Sequence, residues 1–86
     1  MKKVTLFYLP GCPFCSAAER WIKEVQSEHP ELEQLEIERI DERRQAALAN
    51  RFDYWYVPTF YVDGLKEHEG ACSKQIVERV LMGALQ

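Results

Sequence analysis

The sequence predicts an α/β fold in the order βαβαββα, and three observations carry that order. An apolar run, Val4-Thr5-Leu6-Phe7-Tyr8-Leu9, is followed by Pro10-Gly11 and then by a stretch of helical period. Near the far end, Asp63-Gly64 stands between two strand-like stretches and is a strong two-residue hairpin signal. Finally, Ile76, Val77, Val80, Leu81, Ala84 and Leu85 recur at the spacing of an amphipathic helix. At 86 residues the chain has room for one core, so 1–86 is expected to form a single domain.

The elements follow in order. The first run is apolar on both faces, as a central buried strand requires. From Pro13, the residues Phe14, Ala18, Trp21, Ile22 and Val25 make the apolar face of a helix, with Glu19, Arg20, Lys23 and Glu24 opposite. His29-Pro30 ends it, because the residue before proline is disfavoured in the α region. Leu35 and Ile37 alternate with Gln34, Glu36 and Glu38, the pattern of a half-exposed strand. Asp41 is placed to cap a second helix bearing Ala46, Ala47, Leu48 and Phe52. The stretch Tyr56-Val57-Pro58-Thr59-Phe60-Tyr61-Val62 reads as a strand entered through a proline, and Leu65 to Glu69 as its hairpin partner.

Cys12-Pro13-Phe14-Cys15 sits at the join of the first strand and first helix. This spacing lets both sulfurs share the first helical turn, close enough to bond, and reads as a dithiol–disulfide centre. The unpaired N–H groups and positive dipole end of that turn favour thiolate over thiol. Cys12, at the very start, is the expected nucleophile and Cys15 the resolving thiol. Pro13 suits the first helical position, where no backbone donor is needed. No His or Lys lies between the cysteines, so the helix terminus is the one local charge effect the sequence names.

Composition narrows the function further. The chain is 47% apolar and 29% charged with a net charge of −3, the profile of a globular domain without the basic footprint of a nucleic-acid binder. Its apolar runs are too short to span a bilayer, and no signal-peptide pattern follows Lys2 and Lys3. Three cysteines do not make a secreted disulfide framework, so a cytoplasmic setting is expected, with Cys72 left over from the close pair. Cys72 reads first as a small apolar residue at a helix start and second as a regulatory or glutathionylated thiol. The seven acids from Glu28 to Glu42 read as a solvated edge that discourages strand-to-strand pairing, with a docking face for a basic partner as the minor reading.

Cys-Pro-Phe-Cys after the first strand, Val57-Pro58-Thr59 opening the third and the Asp-Gly hairpin beyond it together resemble the thioredoxin superfamily. At this length the chain looks most like a glutaredoxin, from Lys3 to Leu85. The resemblance implies the thioredoxin-like/glutaredoxin fold, a four-stranded mixed sheet with helices on both faces, and a cis peptide between Val57 and Pro58. It also implies a site in which Pro13, Phe14 and Pro58 support Cys12 and Cys15. The Val57 backbone would then lie beside Cys12, free to pair with a peptide or glutathione in strand fashion. Gly70, Ala71 and Ser73 take the place of the family's glutathione-binding turn, and Tyr8 stands at the strand end near the sulfurs. The chain departs from the family pattern at Leu9, where many members carry lysine. It departs again at Tyr54-Trp55, where many carry Gln or Arg, and at Lys74, which replaces an acid.

The expected activity is that of a thiol–disulfide oxidoreductase acting on protein or glutathione mixed disulfides. Its reductant is expected to be glutathione or a thioredoxin-reductase-like flavoprotein, its state monomeric, with no permanently bound cofactor and glutathione as a possible co-substrate. The rival from another class is a metal-binding module. Cys12, Cys15, His68 and Cys72 are four zinc-capable ligands, and Cys12 with outside thiols is suited to a shared iron–sulfur cluster. Of the other tempting residues, Tyr54, Trp55 and Tyr56 are too many in a row to be buried on one side, so at least one is expected to face the site. Trp21 is assigned to the core, and His29 and His68 to structural roles.

Overall fold

The computed structural model describes residues 1–86. Its elements are β1 (Val4–Tyr8), α1 (Pro13–Glu28), a short 3-10 turn (Pro30–Gln34), β2 (Ile37–Asp41), α2 (Ala46–Ala49), β3 (Thr59–Val62), β4 (Leu65–Glu69) and α3 (Lys74–Ala84). The four strands form one mixed sheet in the order β2-β1-β3-β4. β1 pairs parallel with β2 and antiparallel with β3, and β3 pairs antiparallel with β4. The α/β order and mixed sheet are those expected.

Alternation along β1 divides the interior in two, because successive strand side chains point to opposite faces. Val4 and Leu6 join Phe60, Val62 and the buried sides of α1 and α3 in the larger core, which also takes in Leu32 and Leu35. Phe7 faces the other way, with Ile40, Tyr61 and Ala49, under Phe52 and Tyr54. Helices thus cover both faces of the sheet.

Several boundaries differ from the sequence reading. The face that α1 buries is Cys15, Ala18, Ile22 and Val25. Phe14 is one residue, about 100° of helix, away from Cys15 and is 59% exposed. It is not the start of the apolar stripe. Trp21 is only partly buried, packed against the larger core. Leu35 is buried from the segment before β2 rather than from a strand. The second helix shrinks to the single turn Ala46–Ala49, and Phe52 lies beyond it. Asp41 ends β2 and accepts the N–H groups of Arg43 (2.9 Å) and Arg44 (3.3 Å), capping the turn before α2 rather than α2 itself. β3 begins only at Thr59, since residues 54–57 are looped.

The hairpin signal gave the right turn. Asp63 (φ 48°) and Gly64 (φ 83°) both adopt positive φ, as a type I′ turn demands. Beyond it β4 carries a bulge: Phe60 faces His68 but Tyr61 faces Lys66, leaving Glu67 as an extra residue. Ser73 then caps α3 by accepting the Ile76 N–H at 3.2 Å. His29 Nε2 lies 2.7 Å from Glu78 Oε2, and Lys74 pairs with Glu24 and Glu28, so the end of α1 is tied to α3 by charge as well as by core.

Candidate functional site

The site forms where β1 ends and β3 begins, side by side in the sheet. Phe7 pairs with Thr59, so the Pro10–Cys12 turn leaving β1 lies next to the Val57–Pro58 turn entering β3. Gly11 supplies the positive φ (80°) that the first turn needs. The Val57–Pro58 peptide is cis, and Gly70 N–H donates to the Pro58 carbonyl at 2.7 Å, which brings the turn after β4 to the same end.

Cys12 is the N-cap of α1. Its backbone is extended (φ −83°, ψ 114°) and its sulfur accepts the N–H of Cys15 at 3.2 Å. A sulfur in that position satisfies one of the donors a helix start leaves unpaired. Pro13 follows at the first helical position, where its missing N–H costs nothing. Cys12 is half-buried and reachable; Cys15, one turn in, is buried at 4% exposure. Burial pushes the Cys15 thiol up to about 12, helped by its hydrogen bond with Cys12 and by the negative charges of Cys12 and Glu42. The two thiols are therefore unequal, one presented to solvent and the other held protonated beneath it.

The structure places the remaining expected residues as follows. Tyr8 lines a small cavity of about 250 Å³ together with Leu9, Gly11 and Cys15. Val57 is half-buried and Pro58 buried at the start of β3. Gly70 stands close under Tyr56, and Ala71 is exposed, its carbonyl accepting from His68 Nε2 at 2.9 Å. The Ser73 hydroxyl oxygen is committed to its helix cap, and Lys74 to the two glutamates of α1. Cys72 is half-buried against the larger core, with its thiol pushed up by that burial. For the rival zinc reading, no three of Cys12, Cys15, His68 and Cys72 bring their ligand atoms together, and His68 turns to the Ala71 carbonyl.

The three aromatics before Pro58 divide. Tyr54 stacks on Phe7 and donates its hydroxyl to Glu42 Oε1 at 2.6 Å, while Trp55 is 85% and Tyr56 71% exposed. Trp55 and Tyr54 wall a groove of about 550 Å³ that also includes Leu9, whose carbonyl accepts the Cys12 N–H at 3.3 Å. One residue went unnoticed in the sequence. Glu69, at the end of β4, accepts the N–H groups of both Trp55 (2.6 Å) and Tyr56 (3.0 Å) on one carboxylate oxygen, and Lys66 Nζ on the other at 2.7 Å. These three donors hold its carboxyl well below the usual range, at about 2. Its local pairing with Lys66 does not mark it, since the loop N–H groups it accepts are 13 and 14 residues away.

Residues 3–86 match the sequence profile of the Glutaredoxin-like domain family (DUF836). The chain is 35% identical over 79 residues to a protein named thioredoxin from Methanocaldococcus jannaschii, covering 91% of each. Among solved structures, a malarial protein shares the fold with a TM-score of 0.75 at 14% identity, over 100% of this chain and 99% of that one. A thioredoxin-like protein from Clostridium perfringens does so with a TM-score of 0.70 at 23% identity, over 98% and 71%. At these identities the two structural likenesses bear on the fold alone. With profile, relative and fold in agreement, the chain belongs to the glutaredoxin-like domain family, a redox-type branch of the thioredoxin superfamily.

Proposed function

We propose that this protein is a thiol–disulfide oxidoreductase that reduces disulfides through Cys12 and Cys15. The observation that carries the reading is the inequality of the pair: a reachable Cys12 sulfur at the N-terminus of α1, with a protonated Cys15 buried one turn behind it. The Cys12 thiolate attacks one sulfur of the substrate disulfide, forming a mixed disulfide and expelling the other sulfur as a thiolate. Cys15 gives up its proton and attacks the Cys12 sulfur. That step breaks the mixed disulfide, releases the second substrate thiolate and leaves Cys12–Cys15 oxidised. Two electrons and, after protonation, two protons have then passed to the substrate.

The reductant that returns the pair to dithiols is a thioredoxin-reductase-like flavoprotein in preference to glutathione. Leu9 supplies no cation, Lys74 is held in ion pairs with Glu24 and Glu28, and the Ser73 oxygen is used in a cap. What remains for glutathione is the backbone of Val57, Gly70 and Ala71. The M. jannaschii relative's name, thioredoxin, points the same way.

The test couples the oxidised protein to NADPH loss through two routes. One uses glutathione with glutathione reductase and a glutathione mixed disulfide, the other a thioredoxin reductase with a protein disulfide. Turnover in the second alone is expected. Turnover in the first alone reverses the donor, and turnover in neither, with Cys12 and Cys15 intact, removes the activity.

A further inference from the structure

We propose that Glu69 is a positioning residue for substrate selection: it fixes the exposed Trp55 and Tyr56 on the loop that enters β3 next to the end of β1, so that disulfides carried on polypeptides are favoured over small disulfides. This inference rests on the thiol–disulfide reading above. Large aromatic side chains with most of their surface in water are uncommon without a partner to meet. Trp55 and Tyr56 stand in that state on the loop that enters β3 through Pro58. Left to itself a loop of this kind would sample many conformers, and each ordering event on binding would weaken the complex.

Here the ordering is done in advance, by one carboxylate. Glu69 takes both loop N–H groups, and Lys66 locks Glu69 while also donating to the Asp53 carbonyl at 3.1 Å, where the loop begins. Tyr61 Oη donates to the same carbonyl at 2.7 Å. At the loop's far end, the Thr59 hydroxyl donates to the Tyr56 carbonyl, and Gly70 N–H donates to that of Pro58. Both ends of residues 53–58 are therefore fixed, and Glu69 takes the Trp55 and Tyr56 N–H groups between them, where the two exposed rings are. A small disulfide needs only the Cys12 sulfur. An extended polypeptide must also lie across the loop, and it alone gains from a rim that does not move.

The experiment compares Glu69→Gln and Glu69→Ala with the unaltered chain on two substrates, a reducible polypeptide disulfide such as insulin and the small aromatic disulfide dithionitrobenzoate. Amide hydrogen exchange at Trp55 and Tyr56 reports the loop directly. The expected result for Glu69→Ala is a rise of about tenfold in KM for the polypeptide, with kcat and the small-disulfide rate within about twofold, and faster exchange at both amides. Glu69→Gln, which keeps the shape and one acceptor, should fall between and covers the case in which the alanine variant does not fold. An unchanged polypeptide KM in either folded variant overturns the inference. So does an equal loss on both substrates, which would make Glu69 a structural residue only. An unaltered chain that reduces neither substrate removes the redox activity itself, a different failure from an active chain indifferent to Glu69.

Discussion

Cys12 presents its sulfur to the N–H of Cys15 at 3.2 Å while the Cys15 thiol lies buried behind it, so exchange of the two side chains' roles is closed off by geometry. Only the first can meet a substrate, and only the second can meet the mixed disulfide. Cys12→Ser should abolish disulfide reduction, a loss of at least about three orders of magnitude by analogy with removal of other catalytic nucleophiles. Cys15→Ser should instead accumulate a mixed disulfide with a polypeptide substrate, visible as a mass adduct on Cys12. Adducts on Cys72 in that variant would count against the assignment.

Stability should depend on pH through Cys15. Its folded pKa is raised to about 12, above the ordinary thiol value, so at alkaline pH the unfolded chain loses this proton first. The contribution is fully present below about pH 9 and is lost as pH rises toward 12. Denaturant midpoints of the reduced protein should fall across that window, and the fall should be shallower in Cys15→Ser, which has no thiol to titrate there. Parallel curves for the two proteins would show that burial does not hold the proton.

The loop before Pro58 is anchored from inside as well as from β4. Phe7, fully buried, stacks on Tyr54 with centroids 4.8 Å apart and meets Phe52 and Tyr61 edge-on or tilted. Phe7→Ala should cost about 3–5 kcal/mol in chemical denaturation. Phe7→Leu should cost less and keep activity, because the Tyr54–Glu42 bond and the Glu69 contacts survive it.

Ser73 is a cap before it is anything else. Ser73→Ala should lower stability by about 1 kcal/mol, the ordinary cost of losing an N-cap acceptor. Turnover of a polypeptide disulfide, measured where the variant is fully folded, should be unchanged.

How far the sequence could be read follows from the range of the forces involved. The first strand, the cysteine pair and the Asp63-Gly64 turn are specified by neighbours within a few residues, and all three are where the residues say. α3 is legible for the same reason, since Ser73 caps it locally and Val77, Val80, Leu81 and Ala84 bury one stripe. α2 is shorter than expected because Phe52 is drawn onto Phe7 from a loop beyond it, and tertiary packing overrides a weak helical preference. Phe14 is apolar but lies about 100° of helix from Cys15, off the buried stripe, a difference that residue type alone does not announce. The family pattern points to Ser73 as a ligand contact and marks Lys74 as a departure, yet their partners, Ile76 for one and Glu24 and Glu28 for the other, are contacts that residue type alone does not announce. Glu69 lay out of reach entirely, because its meaning depends on a loop brought back by the sheet.

The extra residue in β4 settles a question of parity. In an unbroken strand, Lys66 and Glu69 are an odd number of positions apart and would project from opposite sides of the sheet. Because Glu67 is passed over in the pairing, Lys66 stands opposite Tyr61 and Glu69 opposite Thr59, two residues that share a face. The lysine and the glutamate thereby come out on one side, the side where the Asp53–Pro58 loop runs. Deleting Glu67 would restore a regular ladder with Lys66 and Glu69 two positions apart and still on one side, whereas straightening the strand with Glu67 kept in the pairing would set the two charges on opposite sides of the sheet.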